Sequence, residues 1–256
     1  MKIKLLLAYD GSPFSGWQKQ KSGKSTVQGH LEEALARSLQ PNISTMGSGR
    51  TDAGVHAFGQ VVHFTVSQLP QKIDLVRALN SLTPREIVVK AAWQAPDEFH
   101  AVASAVRKNY RYLILNDQLP SAFRYKYTTW VPHTLDLNQL NQLVAPLKGE
   151  HDFKSFQTSG TEVRSTIRTI EALNWRQLPG NIIEFSITGS GFLKQMVRNI
   201  VGTTLDLYRQ GLTAKQMTAI LAAQSRSEAL GTAPAQGLYL YRVEYPTALD
   251  KKCRKI

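Results

Sequence analysis

The densest run of reactive residue types is Gly47-Ser48-Gly49-Arg50-Thr51-Asp52-Ala53-Gly54-Val55-His56. Three glycines within eight residues let a backbone come close to a ligand or adopt left-handed conformations. A guanidinium, Arg50, and a carboxylate, Asp52, stand two positions apart in it. The run reads as a loop between two strands, and loops held at both ends by a sheet commonly fix reactive side chains. The competing reading is a tight turn in which Asp52 caps local amides and Arg50 is solvated. Other candidates fail on spacing. Gly23-Lys24-Ser25-Thr26 resembles the end of a nucleotide phosphate loop, but the glycine required five residues earlier is Gln18. The six histidines contain no H-x-x-x-H pair, so no metal is expected. Gly189-Ser190-Gly191 lacks the G-x-S-x-G pattern and reads as turn chemistry.

The elements that must hold this loop follow from hydrophobic periodicity. Lys2–Tyr9 is a short apolar run before Asp-Gly and predicts a strand. Val27, Leu31, Leu35 and Leu39 recur every four residues, with Thr26 placed to cap them, and predict a helix. Strands are expected at Asn42–Met46, Gln60–Val66 and Ile87–Trp93, with a helix over Ile73–Leu82. The order is β-α-β-β-α-β. The second half gives a strand at Tyr110–Leu115, a helix at Leu135–Leu147 and a hairpin of Thr166–Arg176 with Ile182–Thr188. Helices at Phe192–Tyr208 and Thr213–Ala223 follow, and Leu238–Tyr245 closes as a strand. The pattern predicts an α+β fold of two ferredoxin-like (RRM-like) halves, residues 1–105 and 106–256, whose antiparallel sheets join edge to edge around a basic cleft.

The 256-residue chain carries 31 Lys and Arg against 19 Asp and Glu, a net charge of +12. Residues 1–105 hold +3 of this and residues 106–256 hold +9. Such a surplus points to a polyanionic partner, most commonly nucleic acid. Part of it, Lys251, Lys252, Arg254 and Lys255, is expected to be a solvated end. The single cysteine, Cys253, excludes an internal disulfide and fits a reducing compartment. No apolar run approaches the roughly 18 residues of a membrane span, and Leu5–Tyr9 is too short for a signal sequence, so a soluble cytoplasmic protein is expected.

Gly49-Arg50-Thr51-Asp52-Ala53-Gly54-Val55-His56 resembles the signature of the bacterial tRNA pseudouridine synthase A family. So, in order, do Tyr9-Asp10-Gly11 with Gly16-Trp17-Gln18, Thr26-Val27-Gln28, Gly59-Gln60-Val61-Val62-His63-Phe64 and Phe99-His100-Ala101. Tyr110-Arg111-Tyr112, Asp152-Phe153, Met196-Val197-Arg198-Asn199-Ile200-Val201-Gly202 and Gly237-Leu238-Tyr239-Leu240 continue the resemblance. It implies an isomerase that turns uridine into pseudouridine at positions 38, 39 and 40 of the tRNA anticodon stem-loop. It also implies a homodimer without cofactor or metal. On that match Asp52 is the catalytic aspartate, Arg50 assists displacement of the base, and Tyr110 stacks on or deprotonates it. Arg198 pairs with Asp52, and Leu238 lines the pocket.

Each assignment has a plainer competitor. Arg198 lies in an otherwise apolar helix, where an unpaired arginine is costly unless it snorkels to water. Tyr110 taken alone is an ordinary sheet aromatic and Leu238 an ordinary core residue. Basic residues expected to meet RNA are Arg107, Lys108, Arg111, Arg124, Lys126, Arg164 and Arg168. Where the family commonly has arginine after Phe-His-Ala, this chain has Val102. Two other readings remain at this point: a pseudouridine synthase of different specificity, and a non-catalytic RNA-binding module. An aromatic-rich RNP-type strand would favour the latter, and none is evident.

Overall fold

A computed structural model of the protein describes residues 1–71, 73–158, 160 and 163–256. Its contacts divide the chain into two compact units, Met1–Val106 with Tyr239–Ile256, and Arg107–Leu238. It is a mixed α/β protein whose strands pair mostly antiparallel.

In the first unit, β1 (Lys2–Tyr9) runs between β3 (His56–Thr65) and β4 (Ile87–Ala95), antiparallel to both, with Lys4 level with His63 and Trp93. Ile3, Leu5, Leu7 and Tyr9 are buried, as period-two alternation requires, and join Val27, Leu31 and Leu35 in the core. Those three belong to α1 (Val27–Ser38), which Thr26 caps by accepting from Gly29 N at 3.2 Å. Helix α2 (Leu75–Leu82) begins at Asp74, whose carboxylate accepts from Arg77 N. The strand expected at Asn42–Met46 is only β2 (Met46–Gly47). Asn42 takes a positive φ of 61°, and Thr45 is tied instead to α1, its N and Oγ1 donating to Glu32 and its carbonyl accepting from Gln28. Those side chains take the hydrogen bonds a strand would have used.

The second unit opens with β5 (Arg107–Asn116), which pairs in parallel with β6 (Thr129–Val131) and antiparallel with β9 (Ile182–Gly189). Beyond β9 lie β8 (Ile167–Leu178) and β7 (Gly149–Asp152). The β8–β9 turn places Gly180 and Asn181 at φ 75° and 60°, the left-handed pair that a tight hairpin favours. Helices α3 (Leu137–Val144), α4 (Met196–Arg209) and α5 (Ala214–Ala223) complete the unit. The periodicity that predicts a helix from Phe192 is interrupted at Gln195, which sits at φ 59° and delays α4 to Met196. Gly202 of α4 lies so close to the neighbouring chain that a Cβ there would stand 2.2 Å from Gly231 O.

The C-terminal segment departs from its expected place in the second half. Strand β10 (Leu238–Glu244) pairs in parallel with β3, Tyr239 level with His56. Next come α6 (Thr247–Lys251) and β11 (Arg254–Lys255), the latter antiparallel to β4. Lys4 Nζ meets Asp250 Oδ1 at 2.6 Å among the rings of Trp93, Phe99 and Tyr245. Tyr245 OH donates to Ala101 O at 2.7 Å, and Lys252 pairs with Glu98. The side chains of Lys251, Lys252, Arg254 and Lys255 are exposed, as expected of a solvated end, while the backbone of this segment is built into the first unit through β11. Its pairing partners lie some 150 to 250 residues away in sequence, where no local pattern reveals them.

Among the described residues no helix is long and apolar enough to cross a membrane. The Gly202 contact carries a test. Gly202→Ala forces backbone apart and is expected to cost about 1–3 kcal/mol, read as a lowered thermal midpoint; an unchanged midpoint would contradict this packing.

Candidate active site

Asp52 is half-buried in the loop between β2 and β3, and hydrogen bonds from beneath hold that loop. Ser48 N donates to Val61 O at 2.7 Å, and Ser48 Oγ donates to Gln60 Oε1 at 2.6 Å. Gln60 Nε2 donates to Gly49 O at 2.7 Å. Tyr9 OH and Thr51 Oγ1 share a hydrogen bond of 2.8 Å. Trp17 N donates to Thr51 O at 3.0 Å, and Val55 N donates to Asp52 O at 3.1 Å. Ser48 and Gln60 are 0% exposed, Tyr9 4% and Thr51 7%. Buried polar atoms left unpaired are costly, so this set of partners specifies one loop conformation. Burial pushes the Tyr9 phenol above its ordinary pKa, outweighing its hydrogen bonds to Thr51 and Gln60, so it stays protonated.

The opening loop packs against the Asp52 loop backbone to backbone. Gly16 has φ +93°, and a Cβ there would lie 2.7 Å from Thr51 O. One residue type fits. At the loop's far end, Gly11 N donates to His56 Nδ1 at 3.0 Å, and the His56 ring stacks on Tyr239 at 4.7 Å. With Thr51 turned inward, Asp52 is held on a rigid support while Arg50 beside it is exposed.

The other expected site residues belong to the second unit. Tyr110 on β5 is buried and meets the edge of Phe192 at 5.0 Å. Arg198 on α4 is half-buried; its Nε donates to Ala233 O at 2.8 Å, while Ala233 N donates to Arg198 O at 3.0 Å. Next along, Pro234 O accepts from Tyr112 OH at 2.8 Å, and Gly237 lies against the Tyr112 ring. This clasp brings α4, β5 and the buried Leu238 into one framework, so Tyr110, Arg198 and Leu238 share a support. The Tyr112 phenol, like that of Tyr9, is pushed up chiefly by burial.

The seven basic residues do not form one patch. Lys108 and Arg168 lie near each other at one end of the β5–β9–β8 sheet, and desolvation, then the Arg168 charge, lowers the Lys108 pKa. Arg107 pairs with Glu171 at 2.5 Å. Arg111 is drawn to the buried Glu184, which it shares with Arg176. Arg124 lies at the opposite end of the sheet, donating to Gly180 O, with Lys126 nearby over the Tyr125 ring. Arg164 is exposed. Val102 is exposed in a turn where His100 Nδ1 accepts from Val102 N and Ala103 N. Beside it His63 accepts from Ala101 N; desolvation, then His100 and Lys2, lowers its pKa to about 4. Among the described residues no three His, Cys, Asp or Glu side chains converge to hold a metal ion.

A family model described as tRNA pseudouridine synthase matches residues 6–102 and 143–246. The chain is 49% identical to tRNA pseudouridine synthase A of Bdellovibrio bacteriovorus, over 100% of this chain and 99% of that protein. It is 42% identical to the proteins of the same name from Bacillus subtilis, over 96% and 99%, and Geobacillus kaustophilus, over 95% and 94%. The chain belongs to the tRNA pseudouridine synthase family. It is an isomerase, a pseudouridine synthase that modifies tRNA, and the reading as a non-catalytic RNA-binding module is set aside. The spans matched by the pseudouridine synthase model contain Arg50, Asp52, Arg164, Arg168, Arg198 and Leu238; Tyr110, Arg107, Lys108, Arg111, Arg124 and Lys126 fall between them.

Sequence reading passed over Gln60 and Ser48 as supports, although a glutamine inside the run Gly59-Gln60-Val61-Val62 is the kind of buried polar residue that needs dedicated partners. Gln60→Leu removes one partner each from Ser48 Oγ and Gly49 O. It is expected to cost this synthase about 2–5 kcal/mol and to speed amide exchange at Ser48 and Val55. Tyr9→Phe, losing the Thr51 bond and the longer one from Gln60, is expected to cost about 1–2 kcal/mol. Unchanged stability and exchange in Gln60→Leu would show that the loop is held by something else.

Proposed function

We propose that this enzyme isomerises uridines 38, 39 and 40 of the tRNA anticodon stem-loop, with Asp52 as the catalytic nucleophile acting on a flipped-out nucleoside. The observation that carries this reading is a half-buried carboxylate on a loop fixed by the buried Ser48, Gln60, Tyr9 and Thr51 side chains. The resemblance of Gly49–His56 to the synthase A signature supports it from the sequence side.

The reaction breaks the bond between uracil N1 and C1′ and rejoins the sugar to C5. A carboxylate serves it by attacking C1′ or C6, or by supporting a glycal-type route. A target in a paired stem must leave its stack at a cost of a few kcal/mol. Arg50, exposed beside Asp52, is proposed to fill the vacated place with its planar cation. Arg198 is proposed as the counter-charge that keeps Asp52 ionised, since a half-buried guanidinium needs an anion. Tyr110 is proposed to stack on or deprotonate the base, and Leu238 to line its pocket; their burial and shared support suit that role.

In this proposal two ferredoxin-like halves, residues 1–105 and 106–256 with the last strand returned to the first, form a basic cleft in a cytoplasmic homodimer. An aromatic surface on the first unit, with Phe58 against Tyr241 at 6.0 Å and both exposed, would suit burial in such a dimer. Phosphates are proposed to meet Lys108, Arg164 and Arg168 first, with Arg107, Arg111, Arg124 and Lys126 as further contacts. Recognition by shape and phosphate explains how one site serves three adjacent positions.

Asp52→Asn is expected to abolish pseudouridine formation while tRNA affinity stays within severalfold; a variant converting uridine at the wild-type rate would refute the assignment. Arg198→Ala is expected to inactivate the enzyme or destabilise it by on the order of 3 kcal/mol. A stable, fully active Arg198→Ala would remove the pairing from the account. Affinity for tRNA is expected to fall roughly 10³-fold between 50 and 200 mM salt if about six phosphates are neutralised. A salt-independent binding constant would contradict the electrostatic contribution.

A further inference from the structure

Between β5 and β6 the chain presents large apolar side chains to solvent. Phe123 is 91% exposed, Leu119 75% and Tyr125 61%. Several such residues together on a surface mark a place of contact. Here they alternate with cations in Phe123-Arg124-Tyr125-Lys126, a segment that falls between the two spans matched by the family model.

The segment is fixed to the unit beneath it. Arg124 Nη1 donates to Gly180 O at 2.6 Å, Tyr127 N and Thr128 N donate to Arg124 O at 2.8 and 2.9 Å, and Trp130 Nε1 donates to Asp117 O at 2.8 Å. Lys126 Nζ lies over the Tyr125 ring at 5.7 Å. Against the β8–β9 turn this leaves a cleft of about 670 Å³, lined by Asp117, Leu119, Phe123, Arg124, Gly180 and Asn181 among others. Asn181 Nδ2 donates to Asp117 Oδ2 at 2.8 Å, and that bond is the main cause holding the carboxyl group below its ordinary pKa.

We propose that this cleft holds an unpaired nucleotide of the tRNA substrate, its base stacked on Phe123, at a site separate from that of the reacting uridine. The chemistry of each wall matches one part of a nucleotide. An aromatic face takes a base of any sequence, and adjacent cations take its phosphates. An ionised carboxylate beside a side-chain amide accepts from and donates to a base edge. A nucleic acid is favoured over a protein partner because the chain belongs to a tRNA-modifying family and carries a net charge of +12. The cleft's inner edge, Leu115, is five residues along β5 from Tyr110, about 17 Å at roughly 3.3 Å per residue. In this proposal the nucleotide belongs to the part of the tRNA outside the anticodon stem-loop, which an isolated stem-loop lacks. The inference rests on tRNA being the substrate and is independent of which uridine reacts and of the role of Asp52.

The test uses the full chain carrying Phe123→Ala with Tyr125→Ala, both surface changes, and Phe123→Trp as the conservative variant. Binding is measured to whole unmodified tRNA and to an isolated anticodon stem-loop, with sedimentation on each protein. The double variant is expected to bind whole tRNA at least about tenfold more weakly, a loss of about 1.4 kcal/mol. Its stem-loop affinity should stay within about twofold, and Phe123→Trp should retain wild-type binding. Whole-tRNA affinity unchanged in the double variant would overturn the proposal. Equal losses on both RNAs would overturn it by assigning the patch to the reacting site. A changed oligomeric state would overturn it in favour of a second copy of the chain. A wild-type protein that binds no tRNA would instead refute the tRNA reading itself.

Discussion

The Gln60 carboxamide has no exposure to solvent and serves three partners, accepting from Ser48 Oγ and donating to Gly49 O and, at 3.5 Å, to Tyr9 OH. A strand residue thereby grips the start of the loop that carries Asp52. Tyr9, from the neighbouring strand, grips the loop one residue before Asp52 through Thr51. The arrangement depends on both strands being in register, because β1 and β3 must bring Tyr9 and Gln60 to the same end of the sheet. Fold stability and loop position are thus one quantity. The entropy of ordering the loop is met during folding, not when substrate arrives, which is the condition a positioned nucleophile needs.

The second unit solves a parallel problem with backbone. Arg198 and Ala233 exchange two hydrogen bonds, Gly202 admits the Gly231 carbonyl at close range, and Tyr112 ties Pro234 to β5. The side chains proposed to surround the base are held by different elements fastened to one another. None depends on an isolated loop. The return of residues 239–256 to the first unit adds a further constraint, since β10 pairs with β3 and β11 with β4.

Much of this was legible in the sequence where local chemistry governs. The four-residue spacing in α1, the Thr26 cap, the alternation in β1 and the Pro-Gly-Asn hairpin all depend on neighbours within a few residues. Legibility failed where distant partners decide. Strand β7 consists of Gly149-Glu150-His151-Asp152, without apolar alternation, and exists because β8 offers an edge. The Asn42–Thr45 stretch loses its strand character to Glu32 and Gln28 of a helix. Asp52 and Arg50 stood out by their glycine-rich setting, whereas Gln60 and Ser48 were hidden in an apolar strand and a turn. The partners of the basic residues were equally hidden, since Arg111 answers Glu184 and Arg124 answers Gly180 O, both distant in sequence.

The most direct measurement is a position-by-position map of pseudouridine in unmodified tRNAs incubated with the purified protein. The account predicts new pseudouridine at positions 38, 39 and 40 and at no other uridine. No conversion, or conversion confined to uridines outside the anticodon stem-loop, would contradict it.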